Sequence, residues 1–209
     1  MFTGIIDGIA KVVLIKRKNN FLSFVIQIPC NLLLNLKLGA SVSNNGCCLS
    51  ITSISGDYIG FDVISETLRC SNLSFLKLGD FVNIERSKKF SDEIGGHILS
   101  GHISTVAECL DIVDLDFNSQ LVYCKLRDLY LMKYIFHKGF ISIDGISLTV
   151  GNINKDVFCF YLIPDTLLKT TMKQKTKGSI FNIEIDYSTQ VIVDTVEKIM
   201  HHQSYSKLI

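Results

Sequence analysis

The chain is written twice. Asn45-Gly46-Cys47-Cys48-Leu49-Ser50-Ile51 returns 99 residues later as Asp144-Gly145-Ile146-Ser147-Leu148-Thr149-Val150. Each copy opens on an Asx-Gly pair and runs into a segment that alternates small or polar with apolar residues, the pattern of a tight turn entering a half-buried strand. Thr3-Gly4-Ile5-Ile6-Asp7 falls on Ser100-Gly101-His102-Ile103-Ser104 at an offset of 97, and Glu66-Thr67-Leu68 falls on Asp165-Thr166-Leu167 at 99. The run from Leu78 to Glu85 falls on Lys177 to Glu184, again at 99. Ordered matches at a nearly constant spacing mark a tandem duplication. One small unit is therefore folded twice, and positions where the copies differ become informative.

The unit reads as all-β. Ile9–Lys16, Phe21–Ile28, Ala40–Asn44, Cys48–Ser55, Tyr58–Ile64 and Phe81–Glu85 are short, β-branched and alternating. The breaks at Asn19-Asn20, Asn45-Gly46, Ser55-Gly56-Asp57 and Gly79-Asp80 carry turn chemistry. Many short strands with frequent turns predict an antiparallel barrel. A helix is expected after Pro29, over the leucine-rich Asn31–Leu36. Residues 1–97 then form a first barrel, with a polar linker over about 87–97 that ends in Gly95-Gly96. Residues 98–187 form a second barrel.

Residues 188–209 differ from the rest. Ile192, Val196 and Ile199 recur at helical spacing from Thr189 onward, with Asp186 or Ser188 as the N-cap. Such a lone amphipathic helix packs its stripe either on its own barrel or on another copy.

Composition narrows the function. A net charge of +1, a charged fraction of 20% and the absence of tryptophan argue against a nucleic-acid-binding barrel, which needs a basic groove with stacking aromatics. The seven cysteines form no Cys-x-x-Cys, and read as reduced, mostly buried thiols. His97 and His102 are five apart, a spacing that suits no metal-binding helix, and His201-His202 read as solvent-facing, so no metal is expected. The N-terminus lacks the features of a signal peptide and no window suits a membrane helix. A soluble, cytoplasmic protein with no membrane or nucleic-acid partner is expected.

Several motifs together resemble riboflavin synthase of the alpha-chain type, the lumazine-binding barrel family. They are the opening Met-Phe-Thr-Gly-Ile, Asn-Gly-x-Cys-Leu, Asp-Gly-x-Ser-Leu-Thr-Val, the Gly-Gly-His-x-x-x-Gly-His run from Gly95 to His102, and Leu162-Ile163-Pro164-x-Thr166-Leu167. The likeness spans the whole chain. It implies two six-stranded antiparallel Greek-key barrels and a C-terminal helix that assembles a homotrimer. It also implies a dismutation of two 6,7-dimethyl-8-ribityllumazine molecules, in which one takes a four-carbon unit from the other. The products are riboflavin and 5-amino-6-ribitylamino-uracil, with no metal or redox cofactor. In the family the working site pairs the N-terminal barrel of one subunit with the C-terminal barrel of another. A non-catalytic lumazine- or flavin-binding antenna protein would share the fold.

On this resemblance the shared positions hold ring and ribityl chain. Gly4 and Gly101 allow close approach to a flat ring, with Ile5, Ile6, His102 and Ile103 beside them. Cys48-Leu49-Ser50 and Ser147-Leu148-Thr149 offer small donors. Asp62, Val63, Ile64, Ser65, Glu66 and Thr67 form one strand-to-loop edge. Tyr161, Leu162, Ile163, Pro164, Asp165 and Thr166 form its match, with the Glu66/Asp165 and Thr67/Thr166 pairs reaching ribityl hydroxyls.

The differing positions are candidates for chemistry: Ile5 against His102, Gly39 against Lys138, Ser41 against Phe140, Cys48 against Ser147 and Ser87 against Asp186. A histidine can move protons near neutrality. Cys48 or Ser41 can add to the acceptor ring or activate water. Lys138 and Asp186 can order charge on ring or ribityl. Asp144 fixes its turn, and Phe2 is expected as a lid at a mobile terminus.

Overall fold

The computed structural model describes residues 1–19 and 21–206, so Asn20, the side chains of residues 202–206 and residues 207–209 lie outside the described residues. Twelve strands close into two six-stranded antiparallel barrels. The first comprises β1 (Gly8–Lys18), β2 (Phe21–Gln27), β3 (Ser41–Asn44), β4 (Cys47–Ser55), β5 (Tyr58–Ile64) and β6 (Phe81–Arg86). The second comprises β7 (Thr105–Leu115), β8 (Ser119–Leu126), β9 (Phe140–Ile143), β10 (Ile146–Asn154), β11 (Val157–Leu162) and β12 (Ile180–Ile185). Neighbours run β1-β2-β5-β4-β3-β6 around the first, and the second repeats that circuit.

Alternation builds each interior. Along β2, Leu22, Phe24 and Ile26 point inward and are fully buried. Phe24 packs on Phe61 of β5 with ring centroids 5.5 Å apart, and Phe160 meets Phe181 edge-on in the second barrel. Each such side chain contributes roughly 2 kcal/mol of burial. Four cysteines, Cys47, Cys109, Cys124 and Cys159, serve as small core residues, whereas Cys30 is exposed.

Register explains the drift of the repeat from 97 to 99 residues. Lys18 pairs with Phe21 at the first hairpin tip and Leu115 with Ser119 at the corresponding second one, so the second tip is one residue longer. The added length places Phe117 in the left-handed region at φ 59°. The second extra residue enters between the strand ends paired as Lys11 with Gln27 and Glu108 with Lys125 and the starts of β3 and β9; there the first copy has a short 3-10 turn at Cys30–Leu32 and the second a six-residue one at Leu129–Tyr134. The leucine-rich Asn31–Leu36 therefore does not form the expected helix. Two six-residue helices that sequence reasoning missed, α1 (Ser65–Cys70) and α2 (Pro164–Lys169), follow β5 and β11.

The barrels meet about a local two-fold axis at the two Asx-Gly turns. Asn45 and Gly46 take φ of 46° and 84°, Asp144 and Gly145 47° and 82°, the two positive angles of a type I′ hairpin. The Asn83 side chain donates to the Asp144 carbonyl at 3.0 Å, and reciprocally Asn182 donates to the Asn45 carbonyl at 2.7 Å. One charge breaks this symmetry: Asp144, fully buried, pairs with Lys175 at 2.7 Å, where the first copy has neutral Asn45 and Leu76.

The last helix, α3 (Tyr187–Ser206), starts where the Asp186 carboxylate accepts from the Thr189 amide at 2.7 Å. It docks on its own barrel through Val193, packed against the core, and through two polar contacts: Lys133 donates to Glu197 at 2.6 Å, and Tyr134 donates to Asp194. Its apolar stripe faces outward, with Ile192 63% and Ile199 52% exposed. No helix among the described residues is long and apolar enough to cross a membrane.

Candidate functional site

The segment before each barrel crosses to the other barrel. Ile6 packs against the core of the second barrel and Ile103 against that of the first. The Ser147 amide donates to the Gly4 carbonyl at 2.9 Å, and the Cys48 amide donates to the Gly101 carbonyl at 2.8 Å. These two straps also pair with each other, because the amides of Phe2 and Leu99 exchange bonds of 2.9 Å. The strap glycines thus have a cause inside the protein: a Cβ on Gly101 would lie 2.4 Å from that of Cys48, and one on Gly4 2.5 Å from that of Ser147. Positive φ at both adds to the requirement.

Each strap hangs from one buried carboxylate. Thr3 donates its amide and hydroxyl to Glu85 at 2.6 and 2.8 Å, and Gly4 donates its amide at 2.9 Å. Ser100 donates its amide and hydroxyl to Glu184, both at 2.7 Å, and the Gly101 amide adds a third donor at 3.1 Å. Burial pushes both carboxyls above their ordinary range, against the pull of these donors.

On the second barrel the expected residues surround two adjoining concavities. Gly4, Ile5, Ile6, Ser147, Asp165 and Thr166 contribute to one of about 510 Å³. Lys138, Ser147 to Thr149, Tyr161, Ile163 and Thr166 contribute to one of about 500 Å³. Ser147 and Thr166 belong to both, so the two form one recess of the size that small-molecule sites have. Leu148 and Leu162 point into the core, leaving only their main chain for a ligand, and Leu49 and Val63 do the same in the first barrel.

On the first barrel Cys48 lies under the second strap, one residue from His102, while Ser41 pairs with Ser50 across β3 and β4. The candidates therefore sort by strap: Cys48, Ser41 and His102 on the first barrel, Ser147, Lys138 and Ile5 on the second. At the ribityl-side positions, Glu66 forms a bidentate pair with Arg69 that lowers its carboxyl to about 2, and Asp165 pairs with Lys169 at 2.9 Å.

One expectation changes. Phe2 is not a loose lid: it is 2% exposed, pinned by Leu99, with its ring against Gly101. Asp186, not Ser188, is the N-cap of α3 and spends a carboxylate oxygen there. His97, considered in the sequence as a metal ligand, instead lies against a candidate residue. Its Nδ1 lies 2.7 Å from the Ser147 hydroxyl, and its ring stacks on Phe140 at 5.0 Å. Burial holds its pKa below the ordinary value, with Asp186 acting the other way. In the tautomer that leaves Nδ1 without a proton, the neutral imidazole accepts from the serine hydroxyl and can take its proton.

Known proteins show the same duplication. The lumazine binding domain model matches residues 3–87 and again 100–186. Riboflavin synthase of Escherichia coli (strain K12) is 54% identical over 200 residues, covering 96% of this chain and 93% of its own. The chain belongs to the riboflavin synthase family. Riboflavin synthase of Buchnera aphidicola subsp. Schizaphis graminum is 52% identical, with 96% of each chain covered. A crystal structure of LumP complexed with 6,7-dimethyl-8-(1'-D-ribityl) lumazine superposes with a TM-score of 0.81 at 26% identity, over 89% of this chain and 99% of that one. LumP complexed with riboflavin superposes at 0.83 with 27% identity, over 89% of this chain and all of that one. Membership of the riboflavin synthase family fits a chain whose two copies share the Gly4/Gly101 straps and differ at the candidate positions Cys48/Ser147 and Ile5/His102.

Proposed function

We propose that this chain is a transferase converting two 6,7-dimethyl-8-ribityllumazine molecules into riboflavin and 5-amino-6-ribitylamino-uracil. The observation that carries this is the duplicated strap-and-strand site, which differs between copies at Cys48/Ser147 and His102/Ile5. Two copies of one substrate call for two copies of one site, and a dismutation calls for the two to behave differently.

The steps follow from the substrate. One lumazine loses a proton from its acidic methyl group and the other accepts a nucleophile on its ring; two carbon–carbon bonds then form between the molecules, the nucleophile leaves again, and two carbon–nitrogen bonds of one ring break, so that its four carbons pass to the partner and the remainder departs as the uracil. No electrons or atoms enter or leave overall. Cys48 or Ser41 adds to the acceptor ring or activates water there, with His102 moving protons. On the second barrel Ser147, bonded to His97, faces the other ring, and Lys138 steadies developing ring charge. Asp186 aligns the nearby ribityl or ring while capping α3. Glu66, Thr67, Asp165 and Thr166 serve the ribityl hydroxyls.

We assign residues 1–97 and 98–187 to the two substrate-binding units and 188–209 to assembly of a homotrimer, in the cytoplasm. The outward apolar stripe of α3 supports assembly, because an uncovered row of Ile192, Val196 and Ile199 needs a partner surface. In the trimer, the first barrel of one subunit faces the second barrel of another.

Anaerobic incubation of the purified protein with the lumazine and buffer, followed by chromatography, tests the reading. Riboflavin and the uracil in equal amounts are expected. Tight lumazine binding with no riboflavin would move the chain to the antenna proteins of this fold.

A further inference from the structure

Glu85 and Glu184 lie outside both concavities on the second barrel, yet each is the anchor of a strap. Glu184 is 5% exposed and Glu85 fully buried. A buried carboxylate is costly unless its oxygens are satisfied, and here the satisfaction comes from the strap itself. Three donors from two consecutive residues fix the backbone around Gly101. The Ser100 hydroxyl that donates to Glu184 also accepts from the His102 amide at 3.1 Å, so one carboxylate sets the start of the next residue as well. The chain then delivers the Gly101 carbonyl to the Cys48 amide on the opposite barrel.

We propose that Glu184, on the second barrel, is the positioning residue for the Cys48–His102 half-site on the first barrel, and that Glu85 holds the Ile5–Ser147 half-site in the same crossed manner. The proposal rests on the reading that Cys48 and His102 border a lumazine site. Each half-site is therefore governed by the repeat that does not contain its strand. The groups that bear electrostatically on Glu184 include His102 on the strap, and Glu184 in turn acts on Cys47 of β4. Lys88, just past β6, bears on Glu85. The two anchors are thus alike in hydrogen bonding and unlike in what their straps present: a histidine over Cys48, an isoleucine over Ser147.

The test compares Glu184→Gln with Glu85→Gln in the full chain. The amide keeps the volume but turns one acceptor into a donor that opposes the strap amides. With no substrate present, iodoacetamide labelling mapped by peptide mass reports how well Cys48 is covered, with exposed Cys30 as the reference. Glu184→Gln is expected to speed Cys48 labelling about fivefold or more through local opening. Glu85→Gln is expected to leave it unchanged. In turnover, Glu184→Gln should lower kcat about tenfold or more, with KM within about threefold, because misplaced groups cost rate before binding. Equal Cys48 labelling in the two variants would overturn the proposal, as would a Glu184→Gln enzyme with wild-type kcat. If Glu184→Gln fails to fold, Ser100→Ala removes two of the strap's bonds more gently, with Thr3→Ala as its counterpart. Unchanged Cys48 labelling in Ser100→Ala would then count against the proposal. Labelling needs no turnover, so a chain that makes no riboflavin but shows crossed Cys48 protection separates this inference from the assigned activity.

Discussion

Cys48 and Gly101 touch across the seam between the barrels, joined by a 2.8 Å hydrogen bond and packed so closely that no Cβ fits on the glycine. Their counterparts Ser147 and Gly4 repeat the contact at 2.9 Å. Cys48 and Ser147 are thus each held by a segment from the other half of the chain, and the two halves are mutually dependent.

That dependence sets the cost of filling the space. Gly101→Ala places a methyl 2.4 Å from the Cys48 Cβ at a φ of +83°, whereas Gly39, at +76°, faces open space. Chemical denaturation should show Gly101→Ala destabilised by roughly 3–5 kcal/mol through clash plus strain. Gly39→Ala should lose only about 1–2 kcal/mol, from strain alone. Equal losses would mean that the seam relaxes freely.

Lys138 holds a left-handed φ of 67° where the first copy uses Gly39. A lysine kept in a glycine conformation is a candidate for function. Lys138→Gly relieves about 1 kcal/mol of strain and returns a similar entropic penalty, so stability should change by less than about 1 kcal/mol. Riboflavin formation should nevertheless fall at least about tenfold. Unchanged turnover would reduce Lys138 to a turn residue.

His97 makes stability acid-sensitive. Its folded pKa lies below the ordinary 6.5, so its contribution is present above that value and lost as pH falls through the lowered one. Glu85 and Glu184 act in the opposite direction, because a raised carboxyl loses stability as pH rises through its folded pKa. Between about pH 7.5 and 5.5 the melting temperature of His97→Gln should therefore fall less, or rise more, than that of the wild-type protein. An identical slope in the variant would place the sensitivity elsewhere.

The stripe on α3 predicts an assembly defect. Ile192→Asp with Val196→Asp, or deletion after Tyr187, should give monomers by sedimentation, with little activity. A fully active monomer would contradict a site closed between subunits.

Much of this architecture is legible in the sequence because each strand boundary carries turn chemistry and the duplication checks every segment twice. What stayed hidden has physical reasons. Ser65–Cys70 is too short and polar to show helical periodicity, and of the leucine-rich Asn31–Leu36 only the first residues join a 3-10 turn, Cys30–Leu32. The glycines at 4 and 101 announced close approach, but only the structure identifies the approaching atoms as those of Ser147 and Cys48. His97 escaped because comparison of the copies cannot see it: at the offset of 97 its counterpart would precede Met1. Phe2 looked free because it stands near the terminus, whereas its pairing partner Leu99 lies in the other half of the chain.

The account stands most directly on there being two lumazine sites in each chain. Equilibrium titration of a slow His102→Gln variant with 6,7-dimethyl-8-ribityllumazine, followed by ligand fluorescence, counts them. Two bound molecules per chain are predicted. A stoichiometry of one would contradict the account, because it would leave one barrel of the duplication without its ligand.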